Sequence, residues 1–236
     1  MRVVDTDFLL HVTARPTAGS TIAWALPCNL DQHGRPISGH ANFGPAKIDT
    51  GSRARKEQIG TALHEATHAL GFSRSRFYDY KQPANGPAWG EANIFHRSHA
   101  NGIHVTKLVT PKIAEQVKKH FDCHNWVNAG AELENGAQGS SQFSSHFEKR
   151  LFNHEYMVAT STYDPIYSAI TLALFEDSGW YVADYDTAEI LPWGYHEGCS
   201  FATYVVGLIR WGSSSNLSSR IDLRVPSGVM PTFVPR

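Results

Sequence analysis

His64, Glu65 and His68 stand in one run, Leu63-His64-Glu65-Ala66-Thr67-His68-Ala69-Leu70-Gly71. On a helix, positions i and i+4 share a face, so both imidazoles can reach a single metal ion, with Glu65 beside any water bound there. A zinc peptidase needs that set: neutral rings to hold the ion and a carboxylate to move a proton. Histidine is abundant, with 13 in 236 residues. Chance supplies about three such matches per hundred chains of this kind, so the motif needs support from its surroundings.

The surroundings give it. Lys56, Ile59, Leu63 and the alanines at 62, 66 and 69 predict a helix over about Arg53 to Leu70, and Gly71 is placed to end it. Catalytic zinc takes three protein ligands and leaves one position open, so the chain must supply one more donor. In the compact form of the motif that donor follows the glycine by three residues. Arg74 stands there and cannot ligate a cation. The candidates further on are His96, His99, His104, His120, His124, His146, His154, Glu155 and Glu176. His146 is preferred because a glycine-serine loop precedes it and can return the chain to the metal. Met157 then follows at an interval suited to a turn beneath the site. Glu176 is the rival, since a glutamate from a later helix is a known ligand for this motif.

Net charge of −1 implies no nucleic-acid or acidic-membrane surface. The longest apolar run, Ala169 to Phe175, is too short to span a bilayer. Met1 to Asp7 lacks the apolar segment of a secretory signal. Cys28, Cys123 and Cys199 are too few and too scattered for a zinc knuckle or a redox pair. Asn216-Leu217-Ser218 is a weak glycosylation signal.

Strands are expected at Phe8 to Thr13, Thr21 to Leu26 and Ile37 to Phe43. Tyr80 to Gly102, with Pro83, Gly86, Pro87 and Gly90, reads as an irregular insertion. Thr110-Pro111 predicts a capped helix reaching Cys123, and Asp164-Pro165 predicts another, closed by Gly179. Asn135 to Ser145 reads as a loop, and the chain from Ser213 onward as a poorly ordered tail.

The run His64 to Ser73, HEATHALGFS, resembles the zinc-binding helix of leishmanolysin-type metzincins, in which an insertion separates the glycine from the third histidine. The similarity continues through Phe121-Asp122-Cys123, Gly139 to Arg150 with Ser145-His146-Phe147, Met157, and Ala169 to Tyr181. Ala188-Glu189, Leu191 to Gly194 and Gly198 to Phe201 extend it, so that it covers most of the chain from about Asp5 to Phe201 in one order.

The resemblance implies an α+β metzincin-like catalytic domain: a small twisted sheet on the zinc-binding helix, with a mainly helical and irregular C-terminal lobe. The corresponding divisions are an N-terminal subdomain at 1–72, an insertion at 73–138, a C-terminal subdomain at 139–212 and a tail at 213–236. It implies zinc held by His64, His68 and His146, Glu65 as acid and base, Met157 as the Met-turn methionine, and pairing of Cys123 with Cys199. The chain is expected to be N-terminally incomplete, starting inside the catalytic domain, and to lack the family's later cysteine-rich region.

The expected activity is zinc-dependent cleavage of proteins or peptides at an extracellular or cell-surface location. The substrate is expected to lie along the strand at Ile37 to Phe43. Two alternatives stay open: a catalytically silent binding or adhesion protein on the same shell, and a zinc hydrolase of another kind using Glu176.

Overall fold

The computed structural model describes residues 6–49, 51, 55–84, 86–100, 103–136, 142–203 and 233–235. Asn216 and most of the expected tail lie outside them. The chain opens with β1 (Leu9–Ala14), β2 (Ala23–Pro27) and β3 (Ser38–Phe43), each within two residues of its expected position. Their order is β1-β3-β2, with β3 parallel to β1 and antiparallel to β2. The central strand is therefore β3, and β2 is an edge.

Helix α1 (Arg55–Leu70) packs across β2 and β3. Small residues let the layers close: a Cβ on Gly39 would stand 2.7 Å from the Ala69 Cβ. The helix ends at Gly71, whose φ of +131° suits glycine. Two buried tyrosines satisfy carbonyls left over at that end. Tyr181 Oη donates to the Leu70 carbonyl at 2.9 Å, and Tyr80 Oη to that of Gly71 at 3.2 Å.

Next come α2 (Arg74–Phe77), α3 (Glu91–Ile94), β4 (Phe95–Ala100), β5 (Ile103–Leu108), α4 (Pro111–Phe121), β6 (Ala131–Asn135) and β7 (Phe143–Phe147). The four strands form an antiparallel sheet in the order β4-β5-β6-β7. This corrects the expected irregular insertion, which carries no proline or glycine between Gly90 and Gly102. It also shortens the expected loop at Asn135 to Ser145, because Phe143 and Phe147 both reach the core from β7. The sheet runs across the expected boundary between 138 and 139.

After α5 (Lys149–Phe152) comes α6 (Ala169–Asp177), then β8 (Tyr181–Ala183), α7 (Gly198–Thr203) and β9 (Phe233–Pro235), which pairs with β8. Helix α6 does not begin at Asp164-Pro165. Ile166 is paired with Glu155 in an isolated bridge, and the Ser168 side chain accepts from the Ile170 N–H to cap the helix. Thr110 likewise makes no side-chain cap for α4; Asp177 reaches over from α6 and accepts from the Ile113 N–H at 2.9 Å.

The core lies between α4, α6 and the second sheet and is strongly aromatic, with Phe121, Phe147, Phe152 and Phe175 fully buried. Cys123 and Cys199 form a disulfide with a Cα–Cα distance of 4.8 Å, tying the end of α4 to α7. Cys28 is free and exposed. Among the described residues, no helix is long and apolar enough to cross a membrane. Small sheets and short helices around one long helix make this an α+β domain.

Candidate metal centre

Helix α1 presents His64 and His68 one turn apart, and β7 brings His146 to meet them. The Nε2 atoms lie 3.0 Å apart between His64 and His68, and 3.2 Å from each of these to His146. Three nitrogens bound tetrahedrally to zinc at 2.0–2.1 Å would stand about 3.3 Å apart. Among the described residues, no other three His, Cys, Asp or Glu donors converge in this way.

The outward nitrogens decide the tautomers. His64 Nδ1 lies 2.6 Å from the Tyr156 carbonyl, and His68 Nδ1 lies 2.7 Å from the Phe72 carbonyl. A carbonyl only accepts, so both Nδ1 atoms carry hydrogen and both Nε2 atoms turn lone pairs inward. His146 Nδ1 faces the Glu134 carboxylate at 3.8 Å, with Ser144 Oγ at 3.5 Å. Three acceptors pointed at one spot repel one another unless a cation stands between them, so the donor set fits a metal ion.

Burial lowers the pKa of all three rings. His64 is lowered by burial, and His68 well below the usual value by burial and then by its two neighbours. His146 falls to about 3, chiefly through burial and then through His64. The rings are neutral near pH 7, the form that ligates. Glu65, next on the helix, is pushed up to about 7 by burial, and its Oε2 has no hydrogen-bond partner among the described residues.

These side chains floor a cleft of about 640 Å³. One wall is the segment Ser20 to Ala25, which includes the start of β2; the other is Tyr156 and Val158 to Thr162 with Pro165. Gly60 brings the helix under this wall, since a Cβ there would lie 2.6 Å from Pro165 Cγ. The expected substrate strand, Ile37 to Phe43, is displaced from the cleft: β3 spends its backbone groups on both neighbours. The open edge is β2. Gly44 N–H bonds to the Ile22 carbonyl and Cys28 N–H to that of Ser38, at 2.9 and 2.8 Å. Antiparallel alternation then turns the N–H and C=O groups of Ala23 and Ala25 away from β3, towards the free side.

The other sequence candidates stand elsewhere. His99 and His104 face each other across β4 and β5, with ring centroids 4.6 Å apart. His120 Nε2 donates to the Trp193 carbonyl, and exposed His124 pairs with Asp122. Glu176 accepts from Tyr185 Oη at 2.7 Å. His154 occupies a positive-φ turn position, and Glu155 is sealed in the interior. Met157 is fully buried and does not line the cleft. Sequence reasoning missed the Tyr156 and Phe72 carbonyls, which carry no side-chain signal. It also missed Glu134, which a search for carboxylates near His146 along β6 and β7 could have found.

The sequence matches the family model described as leishmanolysin over residues 1–214. The chain belongs to the leishmanolysin family. It is 37% identical over 234 residues to a leishmanolysin-like peptidase of Drosophila pseudoobscura pseudoobscura, covering 85% of this chain and 34% of that protein. Against leishmanolysin of Leishmania major the identity is 32% over 201 residues, covering 84% and 31%. Against the ciliated left-right organizer metallopeptidase of Mus musculus it is 33% over 228 residues, covering 90% and 31%. The chain thus spans about a third of the length of these curated relatives.

Proposed function

We propose that this leishmanolysin-family chain is a zinc-dependent endopeptidase of the metzincin type. The supporting observation is the convergence of three Nε2 lone pairs in a cleft that Glu65 also lines, with one Glu65 oxygen unpartnered among the described residues and a free strand edge along the cleft. His64, His68 and His146 would hold the ion. Bound there, zinc supplies a Lewis acid that polarises a carbonyl and makes a nucleophile available from water at neutral pH.

The chain's own residues do the rest. An extended peptide adds to β2 as a further strand, with the outward backbone groups of Ala23 and Ala25 fixing its register. Glu65 takes a proton from the attacking water and returns it to the leaving amine; a buried carboxyl lining the cleft is placed for both transfers. Tyr156 and Phe72 orient two of the imidazoles through their carbonyls, and Met157, buried next to Tyr156 in the chain, would serve as the Met-turn residue. The substrates are proteins or peptides, met at an extracellular or cell-surface location.

The test is hydrolysis of a quenched peptide library with and without a zinc chelator. Cleavage that stops with the chelator and returns with zinc is expected. One tightly bound zinc with no cleavage would favour the silent binding or adhesion protein instead.

A further inference from the structure

One fully buried carboxyl takes no part in that chemistry. Glu155 has 0% exposure, and both of its oxygens are engaged. Oε2 accepts from the Met157 N–H at 2.5 Å; Oε1 accepts from the Ser168 hydroxyl at 3.1 Å and the Thr171 hydroxyl at 2.5 Å. Ser168 caps α6 and Thr171 lies in its first turn, so the carboxyl also sits at the positive end of that helix.

The turn pinned in this way bonds to one imidazole and to the strand that carries another. The Tyr156 carbonyl, between Glu155 and Met157, meets His64 Nδ1 at 2.6 Å. The Met157 carbonyl accepts from the Phe147 N–H at 3.0 Å, one residue after His146. Tyr156 N–H bonds to the Ile166 carbonyl at 3.0 Å, and Ile166 N–H to that of His154 at 2.8 Å. The main chain thus ties the turn to the segment before α6, and Glu155 ties it to the helix itself.

We propose that Glu155 is a positioning residue of the metal centre, setting the Tyr156 carbonyl against His64 and the height of His146 by anchoring their shared turn to α6. This rests on the three-histidine metal reading. A carboxyl is suited to the task because its two oxygens meet a backbone N–H and two hydroxyls that can donate or accept. Glutamine can give its oxygen to the Met157 N–H, but its NH2 then replaces the acceptor of the Ser168 and Thr171 hydroxyls, which must both turn to accept.

The experiment is cobalt(II) titration of the whole chain, followed by visible absorption and by competition with a chromophoric chelator. The wild type is expected to bind one cobalt. Glu155→Gln is expected to bind it 10–100-fold more weakly, the usual cost of losing a residue that orients ligands, with an altered visible spectrum. Asp177→Asn, at a buried carboxyl that caps α4 instead, should lower thermal stability and leave affinity and spectrum unchanged. Thr171→Val, removing one hydroxyl, should give a smaller loss in the direction of Glu155→Gln. Wild-type affinity and spectrum in Glu155→Gln would overturn the proposal while leaving the metal reading intact. Should Glu155→Gln fail to fold, wild-type affinity in Thr171→Val overturns it equally. A wild type that binds no cobalt removes the metal reading and this inference with it.

Discussion

The floor of the cleft and the turn behind it each hold a glutamate that burial moves to about the same pKa, about 7 for Glu65 and about 7 for Glu155. Their hydrogen bonding differs. Glu65 lines the cleft and its Oε2 has no hydrogen-bond partner among the described residues, whereas Glu155 accepts from one backbone N–H and two hydroxyls in a sealed interior. A buried polar group left unpaired costs stability, and a fold retains one where something outside the chain is to satisfy it. Burial marks both residues as unusual; satisfaction separates the one available to a ligand from the one that braces the chain.

The largest expected effect follows from that separation. Glu65→Gln should lower kcat/KM on a cleaved peptide by about 10²–10⁴-fold, the usual worth of a positioned acid–base group, with zinc still bound. Its unfolding free energy should stay level or rise, because no hydrogen bond to Oε2 is lost. Undiminished turnover removes Glu65 from the chemistry, and a marked loss of stability would mean that its oxygen is satisfied after all.

Next in size is a pH dependence. The folded pKa of Glu155, about 7, lies above the ordinary 4.5, so the native state holds this proton more tightly than the unfolded chain. Its contribution is full below about pH 4.5 and is lost as pH rises through about 7, a change on the order of 3 kcal/mol. Denaturant unfolding of the metal-free chain across that range should therefore show a slope that Glu155→Gln reduces by up to one proton. Identical slopes in the two proteins would show that Glu155 does not carry the proton.

At fixed pH near 7 the same substitution should cost about 1.5 kcal/mol, since the Ser168 and Thr171 hydroxyls must turn from donors into acceptors to meet the amide NH2. Equal stability would mean that the turn repacks around the amide, and Glu155 would then resemble Glu65 more than the geometry allows.

Legibility in the sequence follows the same division between local and non-local information. His64, Glu65 and His68 were readable because helical periodicity alone puts two imidazoles on one face. The first three strands were readable from β-branched and aromatic runs between turn residues. The glycine-serine run before His146 suggests a flexible loop, but the residue stands on β7, held by pairing with β6 and by the core positions of Phe143 and Phe147. The start of α6 is ambiguous in the sequence because Asp164-Pro165 and Ser168 both carry cap chemistry, and only the pairing of Ile166 with Glu155 removes the first. The substrate edge was misassigned for a similar reason: strand order is a property of the sheet, and nothing in Ser38–Phe43 announces that both of its sides are taken. Glu155 stood among the possible metal ligands because its partners, Ser168 and Thr171, become neighbours only after folding.

The smallest effect bears on how the turn itself is held. Tyr156 meets α1 twice: its carbonyl accepts from His64, and its hydroxyl lies 3.1 Å from Thr67 Oγ1, which also donates to the Leu63 carbonyl at 2.8 Å. Tyr156→Phe removes the second contact and leaves the first, because the carbonyl is main chain. Thr67 keeps its bond to Leu63, so no donor is stranded, and the cost should be about 0.5–1.5 kcal/mol in unfolding free energy. Zinc or cobalt affinity should not move. If Tyr156→Phe weakened metal binding as much as Glu155→Gln does, the turn would be positioned by the tyrosine side chain against α1, and the carboxyl at the start of α6 would be reduced to a buried group that stabilises without orienting.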